Sequence, residues 1–227
     1  LSNELCSLRP DENKLCMSVI VEMDEEAKVL KYKICRTVIR SNYRLTYRQA
    51  QDILEQKECS MVGTDLPVVS QAIQGLDKLA KILRANRFRQ GAINFESSEV
   101  HFRLDEQGEP VEIFFHKSYD SNHLIEEFML LANRTVAETI GKVPAKKAKV
   151  FPYRIHDVPD PEKLDNLARL ALPFGHKVRT TGDKTDIAKS FNRLLADVKG
   201  KREQHLIETV SLRAMQKARY STDNIGH

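Results

Sequence analysis

The chain has 227 residues, of which 41% are hydrophobic, and this is enough apolar material to bury a sizeable core in one large domain or two small ones. Its 36 lysines and arginines exceed its 32 aspartates and glutamates by a formal charge of +4, a mild basic excess that falls short of the footprint of a dedicated nucleic-acid-binding protein. No apolar run approaches the roughly 20 residues that a membrane-spanning helix needs, and the first residues lack the charged start and apolar segment of a signal peptide.

The N-terminal third is predicted to form a β-hairpin followed by two helices. Residues 15–23 and 29–41 are rich in β-branched residues that alternate with others, and the short charged connection between them indicates an antiparallel turn. Thr46 is expected to cap a helix that runs to about Glu58, and a longer helix with a regular apolar stripe follows Pro67. The longer helix ends in a basic and aromatic segment with Arg84, Arg87, Phe88 and Arg89.

Short strands are predicted next along the chain. Residues 91–95, 100–104 and 111–116 have the composition of strands. The polar segment 105–110 contains a glycine and a proline, and it predicts a hairpin turn between the last two strands.

The clearest helical pattern in the sequence covers residues 123–140. At about 100° per residue, one broad arc of this helix is apolar and is expected to be buried. In one interpretation both of its adjacent glutamates are solvated acids of the first turn, and Glu127 pairs loosely with Arg134. In the other interpretation, Glu126 and Asn133 lie on one line and face a polar site. The predicted buried arc comprises Leu124, Ile125, Phe128, Met129, Leu131, Ala132, Thr135 and Val136.

The C-terminal half is predicted to be mainly helical. A lysine-rich connection leads to segment 151–156, and its mixture of cations and aromatics suits phosphate contacts, although a solvated loop has the same composition. Helices are predicted from Pro161, with Asp160 as the N-cap, and then over about 184–199 and 202–219. The order of elements predicts an α+β fold in which β-hairpins and short strands pack with helices, followed by a helix-rich C-terminal half.

The four cysteines have no spacing typical of a zinc site. They are predicted to be small, reduced core residues, and this indicates a protein of the reducing cytoplasm. The four are Cys6, Cys16, Cys35 and Cys59.

A series of short motifs extends over the whole chain. The first ten residues, LSNELCSLRP, match the pattern LSNxLCSLxP, and RQGAINF follows at residues 89–95. In this order, the motifs resemble those of the ribonuclease II and ribonuclease R family of exoribonucleases, and most of all those of its bacterial ribonuclease R members. The other matches are RLTY at 44–47, LIEEFM at 124–129 with AN at 132–133, YRIH at 153–156, LRAM at 212–215 and YSTDNIGH at 220–227.

The resemblance implies a processive 3′-to-5′ exoribonuclease that threads single-stranded RNA into a channel and hydrolyses it to nucleoside monophosphates with Mg²⁺. In a two-metal hydrolysis, carboxylates hold the ions. The family's aspartate cluster precedes the LSNxLCSL motif, so the metal-binding aspartates are expected upstream of Leu1, and a further family motif follows the Gly-His at residues 226–227. We therefore expect residues 1–227 to be a single domain, a central fragment of the catalytic domain truncated at both ends, which binds no Mg²⁺ and is inactive alone. The alternative is a non-catalytic RNA-binding or scaffold relative that kept the fold and lost the metal-binding aspartates.

The resemblance also implies roles for individual residues. Phe95 matches an aromatic that stacks on the terminal bases, and Tyr47 matches another aromatic near the channel. Glu126, with Glu127 beside it, matches a glutamate near the active site that contacts a ribose hydroxyl or orients a channel group, so these two are the candidate catalytic residues. The central helix is accordingly expected to line the RNA channel, with Glu126 turned toward the site. The candidate phosphate contacts are Arg87, Arg89 and Arg154, with solvated surface positions as the alternative, and His156 is expected to form a structural hydrogen bond.

Overall fold

The structure is a computed structural model that describes residues 2, 4–94, 100–115, 118–144, 147, 149–157 and 159–225. Helices and small antiparallel sheets alternate along the chain, and this confirms the predicted α+β class with its helix-rich C-terminal half. The contacts divide the chain into two compact units, one formed by residues 1–84 and 116–142 and the other by residues 85–115 and 143–227. The expectation of a single domain over residues 1–227 stays a prediction.

The first unit begins with the predicted hairpin. Strands β1 (Asn13–Met23) and β2 (Val29–Arg40) pair antiparallel. The turn is held by Asp24, whose Oδ1 accepts hydrogen bonds from the backbone N–H groups of Glu26 at 3.1 Å and Lys28 at 2.8 Å. An aspartate that binds its own backbone two residues on is a strong local turn signal, so the hairpin was predictable from the sequence.

Helix α1 (Tyr47–Leu54) starts where the sequence predicts and ends earlier. The hydroxyl of Thr46 accepts the Gln49 N–H at 3.2 Å, and the Gln49 side chain accepts the Thr46 N–H at 2.8 Å, which together form a capping box. The predicted extension to Glu58 is wrong, because Gln56 has a φ of 59° in the left-handed region and breaks the helical path.

The core of the first unit lies around the end of α1 and the start of helix α2 (Leu66–Arg89). Ile53, Cys59 and Val62 are its buried residues, and they pack against partly buried side chains of α2. The prediction of core cysteines is right for Cys59 and wrong for Cys6, which is exposed. All four cysteines are free thiols.

Helix α3 (Asp120–Gly141) is the predicted central helix, extended by three residues at its start. The expected burial of its apolar arc is only partly correct. Leu124 and Thr135 are buried, whereas Ile125 and Met129 are about half exposed. The predicted buried arc of α3 is too wide, because helical periodicity does not indicate which part of an apolar surface packs against another element.

The second unit contains the hairpin of strands β3 (Val100–Leu104) and β4 (Pro110–Phe115), which confirms the predicted turn between them. Residues 91–94, by contrast, do not form the predicted strand. This segment begins at Gly91, which has a φ of 100°, and it is fixed by a side chain instead of a neighbouring strand. The Asn192 amide donates to the Ala92 carbonyl at 2.8 Å and accepts the Asn94 N–H at 2.8 Å.

Three helices build the main core of the second unit. They are α4 (Pro161–Ala171), α5 (Lys184–Val198) and α6 (Gln204–Ala214), and Asp160 caps α4 as predicted. Helix α6 ends five residues before the predicted limit, because the backbone becomes extended at Met215 and leads into a strand. The buried residues of this core are Leu164, Leu167, Ala171, Phe191, Leu194, Val198, Ile207 and Ala214.

The last element is a short two-stranded sheet. Strand β5 (Tyr153–Ile155) pairs antiparallel with strand β6 (Arg219–Ser221), so the YRIH segment is a strand followed by an exposed histidine. In the part of the chain that the structure describes, no helix has the length and apolar character needed to cross a bilayer.

A buried hydrogen bond between a histidine and a glutamate in the second unit predicts a pH dependence of stability. His176 Nε2 donates to Glu203 Oε1 at 3.1 Å, and this bond lowers the pKa of Glu203 below its usual value of 4.5. A carboxyl whose pKa is lower in the folded state stabilises the fold above the unfolded-state pKa, and this contribution is lost as the pH falls through the folded-state pKa. We expect the urea concentration at the midpoint of unfolding to decrease when the pH is lowered below about 4.5. We expect this decrease to be smaller in the His176→Asn variant. An equal loss of stability in both proteins would contradict this assignment.

Candidate nucleic-acid interface

The two adjacent glutamates of α3 meet the arginine of α2 that lies in the same unit. Arg84 Nη1 is 3.4 Å from Glu126 Oε2 and 3.6 Å from Glu127 Oε1. The exposed fractions of the side chains are 19% for Arg84, 39% for Glu126 and 3% for Glu127. Glu127 is therefore the interior carboxylate, and Glu126 lies at the edge of the cluster.

The structure corrects the expected pairing of Glu127. It does not pair with Arg134 at the surface, since Arg134 Nε binds Glu138 Oε1 at 3.1 Å, one turn further along the helix. A separation of seven residues covers about 10 Å of helix, whereas four residues bring two side chains together. The interpretation that both glutamates are solvated is wrong for Glu127, and Asn133, placed with Glu126 on the predicted polar line, is exposed.

A small cleft of about 80 Å³, lined mainly by titratable residues, adjoins these glutamates. Lys81 Nζ crosses it and binds Asp77 at 2.7 Å and Asp120 at 3.0 Å. The hydrogen bond to Asp77, followed by the one to Asp120, raises the pKa of Lys81 despite its partial burial. His123 Nδ1 lies 3.4 Å from Glu126 Oε2 at the same edge. This network was not predicted from the sequence, although the spacing of four residues between Asp77 and Lys81 on a helix is typical of an ion pair.

Tyr47 presents its ring at the surface of the first unit. Tyr47 is 47% exposed, so about half of its surface is accessible to a ligand. A hydrogen bond fixes the backbone of Tyr47, because the Ser121 hydroxyl donates to the Tyr47 carbonyl at 2.7 Å. Gln51 accepts the Ser121 N–H at 3.2 Å, and both of these side chains are buried. These bonds tie α1 to the start of α3 and fix where the ring emerges.

Arg87 and Arg89 lie in the last turn of α2. The Arg87 guanidinium is 5.2 Å from the centre of the Phe88 ring, a cation–π contact, and the exposed Arg89 donates to the Asn86 side chain. Cations in the last turn also complement the helix dipole, which is a structural role. Both side chains are partly or fully accessible, so their position is compatible with phosphate contacts as well.

The residues of the YRIH motif take distinct positions. Arg154 is exposed in the middle of β5, opposite Tyr220 of β6. His156 Nδ1 donates to the Gln216 carbonyl at 3.0 Å, which confirms the expected structural hydrogen bond. In the lysine-rich connection, Lys142 Nζ binds Glu138 at 3.0 Å, and Lys149 is exposed. Phe95, the predicted base-stacking residue, lies outside the described residues.

The described carboxylates are not clustered in the way that a two-metal site requires. Within the described ranges, no group of three or more His, Cys, Asp or Glu side chains is arranged to hold a metal ion. The two predicted catalytic glutamates instead share the guanidinium of Arg84. What these glutamates can do chemically is accept hydrogen bonds in a fixed orientation.

The aspartates that the family resemblance implies are expected upstream of Leu1. Leu1 itself lies outside the described residues, and residues 2 and 4–6 that follow it are exposed. The described residues do not test the location of the metal-binding aspartates, which stays a prediction.

The comparisons with known proteins agree on one family. The model of the RNB domain matches residues 1–227. Ribonuclease R of Aquifex aeolicus is 34% identical over 229 residues, which cover 100% of this chain and 31% of that protein. Ribonuclease R of Thermotoga maritima is 34% identical over 234 residues, with the same coverages of 100% and 31%. The chain thus spans about a third of the length of the curated relatives it matches.

A solved structure shows the same fold. The structure of Mycoplasma genitalium RNase R in complex with ribose methylated single-stranded RNA has a TM-score of 0.83 and is 25% identical in sequence. The similarity covers 100% of this chain and 34% of that one.

Proposed function

The chain belongs to the RNB domain family, and on that premise we propose that it forms part of a hydrolytic exoribonuclease that degrades single-stranded RNA processively, from the 3′ end, to nucleoside monophosphates. The observation that carries the proposal is the match over the entire chain to the RNB domain and to ribonuclease R proteins. A cytoplasmic location is part of the same proposal, and four free thiols suit a reducing compartment.

The accessible aromatic and basic side chains support binding of RNA without sequence preference. A base that stacks on the half-exposed Tyr47 ring contributes about 1–3 kcal/mol whichever base it is. Arginine suits phosphate because its planar donors bind two oxygens at once. Arg89 and Arg154 are exposed, and Arg87 is partly exposed on the face of an aromatic ring. This combination suits an enzyme that must accept any sequence.

Glu126 supports recognition of ribose. Its carboxylate is 39% exposed and is oriented by Arg84 and His123, each 3.4 Å from Oε2. A 2′-hydroxyl is the group by which a protein distinguishes RNA from DNA, and a carboxylate is a strong acceptor for it. Glu127 serves this site from the interior, as the residue that holds Arg84 in place.

We propose that any Mg²⁺ used in the reaction is held by carboxylates other than those described in this chain. The support is the arrangement of Glu126 and Glu127, which already share the positive charge of Arg84. The contribution of residues 1–227 is then to bind and orient RNA. A non-catalytic relative would bind RNA in the same way, so hydrolysis by a protein of the relatives' full length is the observation that separates the two functions.

The proposal is tested by assaying mononucleotide release from uniformly labelled single-stranded RNA with Mg²⁺. We expect no release by the 227-residue chain alone and progressive release by a version of the relatives' length. RNA blocked at its 3′ end serves as the control, because a 3′-to-5′ enzyme requires that end to be free. Release of mononucleotides by the chain alone would contradict the assignment of the metal site, and a full-length protein without activity would favour the non-catalytic relative.

A further inference from the structure

The two-stranded sheet of β5 and β6 has two unlike faces. Arg154 lies directly opposite Tyr220 in the pairing register, so their side chains project from the same face. Ile155, the next residue of β5, projects from the other face and has an exposed fraction of 0%. The Tyr220 side chain is 76% exposed. One face is therefore anchored in the second unit, and the other presents an aromatic ring beside a guanidinium.

The charges around this face leave Arg154 available. The second arginine of the sheet, Arg219, binds Asp157 with its Nε at 3.4 Å, so that pair is internally neutralised. Among the described residues, Arg154 forms no ion pair. Exposed lysines, Lys149 and Lys217, lie in the segments that lead into the two strands and add positive charge. Side chains that are direct cross-strand neighbours have Cβ atoms about 5 Å apart, which brings the ring and the guanidinium within reach of one ligand.

A ring that is mostly exposed on a paired strand is an accessible stacking surface. Solvent does not favour 76% exposure of a tyrosine side chain, and no hydrogen bond of its hydroxyl within the described part of the chain accounts for it. The tyrosine ring favours a ligand with a flat π-face, and the neighbouring guanidinium favours negative charge beside it. Single-stranded RNA has both features in every nucleotide, since a phosphate adjoins each base.

We propose that the Arg154–Tyr220 face of β5 and β6 is a further contact site for single-stranded RNA, where Tyr220 stacks on a base and Arg154 binds an adjacent phosphate. The proposal rests on the proposed function, because it takes RNA as the ligand of this chain. It adds Tyr220, which no motif match had assigned to RNA, and gives Arg154 a specific partner. Stacking of this kind does not distinguish one base from another.

The test measures binding of fluorescent oligo(A) RNA to the 227-residue chain and its variants by anisotropy at several salt concentrations. Tyr220→Ala is expected to weaken binding about 5- to 150-fold, the equivalent of losing one stacked base, while Tyr220→Phe retains affinity. Arg154→Ala is expected to reduce the slope of log K against log salt by about 0.7, and Arg154→Lys restores that slope. Arg193→Ala is the matched control, since Arg193 is exposed on α5 and paired with Asp197 at 3.8 Å.

An oligonucleotide with abasic sites separates stacking from a structural role. If Tyr220 stacks on a base, the loss caused by Tyr220→Ala disappears with RNA that lacks bases, whereas a damaged fold weakens binding of both ligands equally. Unchanged affinity of the Tyr220→Ala variant, or an equal loss of affinity for intact and abasic RNA, would overturn the proposal. RNA binding by the unsubstituted chain would in that case still support the proposed function. Absence of RNA binding by the unsubstituted chain would overturn both.

Discussion

Glu127→Ala is expected to lower the free energy of unfolding by about 3 kcal/mol, whereas Glu126→Ala lowers it by less than about 1 kcal/mol. The two residues are adjacent, share one helix and both contact Arg84, so they form a matched pair. They differ in burial, since Glu127 is 3% exposed and Glu126 is 39% exposed. Removing the interior carboxylate takes the buried charged partner away from Arg84, whose side chain is 19% exposed, and this is more costly than losing a solvated ion pair.

The measurement is urea unfolding of both variants at neutral pH. Equal destabilisation by the two substitutions, or a Glu127→Ala variant with an unchanged free energy of unfolding, would contradict the assignment of Glu127 as structural and Glu126 as substrate-facing. Arg134→Ala provides a further control for a surface pair on the same helix, and its expected effect is below about 0.5 kcal/mol.

Phe191→Ala is expected to lower the free energy of unfolding by about 3–5 kcal/mol. Phe191 lies on α5 in the core of the second unit and has an exposed fraction of 0%. Replacing it removes the largest fully buried side chain among the described residues and leaves a cavity that α4, α5 and α6 cannot close without moving.

Phe174 is the matched control for this substitution. It is a phenylalanine of the same unit, but it is 46% exposed, so Phe174→Ala is expected to cost less than about 1.5 kcal/mol. Thermal unfolding followed by circular dichroism compares the two variants. A Phe191 variant that unfolds at the temperature of the unsubstituted chain would show that the helical core is not where the structure places it.

Elements that depend on short-range hydrogen bonds were predicted well from the sequence. Asp24 marks the first hairpin, Thr46 starts α1, and Asp160 followed by proline starts α4. In each case the side chain binds backbone groups within four residues, so the signal lies in the local sequence. Helix ends were predicted less well, because α1 and α6 stop at a change of backbone conformation that their apolar periodicity does not reveal.

The orientation of α3 was not predictable from periodicity. The helical pattern gives the angle between Glu126 and Glu127 but not which of them meets another element. Arg84 decides this, and it lies 42 residues before Glu126 in the sequence. Family resemblance had indicated Glu126 as important, and the structure adds that Glu127 is the buried partner that fixes the arginine between them.

The candidate interface was predicted in part. The motif matches selected Tyr47 and Arg154, and the structure places both at accessible positions. They did not select Tyr220 as a contact residue, because its relation to Arg154 arises from strand pairing between segments 66 residues apart. The spacing of the motifs does not predict which residues of two distant strands lie opposite each other, because the register depends on the folded structure.

The most direct test of the central claim is a titration of the 227-residue chain with labelled poly(A) at a series of salt concentrations. If Arg87, Arg89 and Arg154 each bind a phosphate, log K is expected to fall with log salt with a slope of about −2, from about −0.7 per contact. Tight binding at low salt that weakens along this slope is the result predicted for a chain that binds and orients RNA. No binding at low salt, or an affinity that salt leaves unchanged, would contradict it.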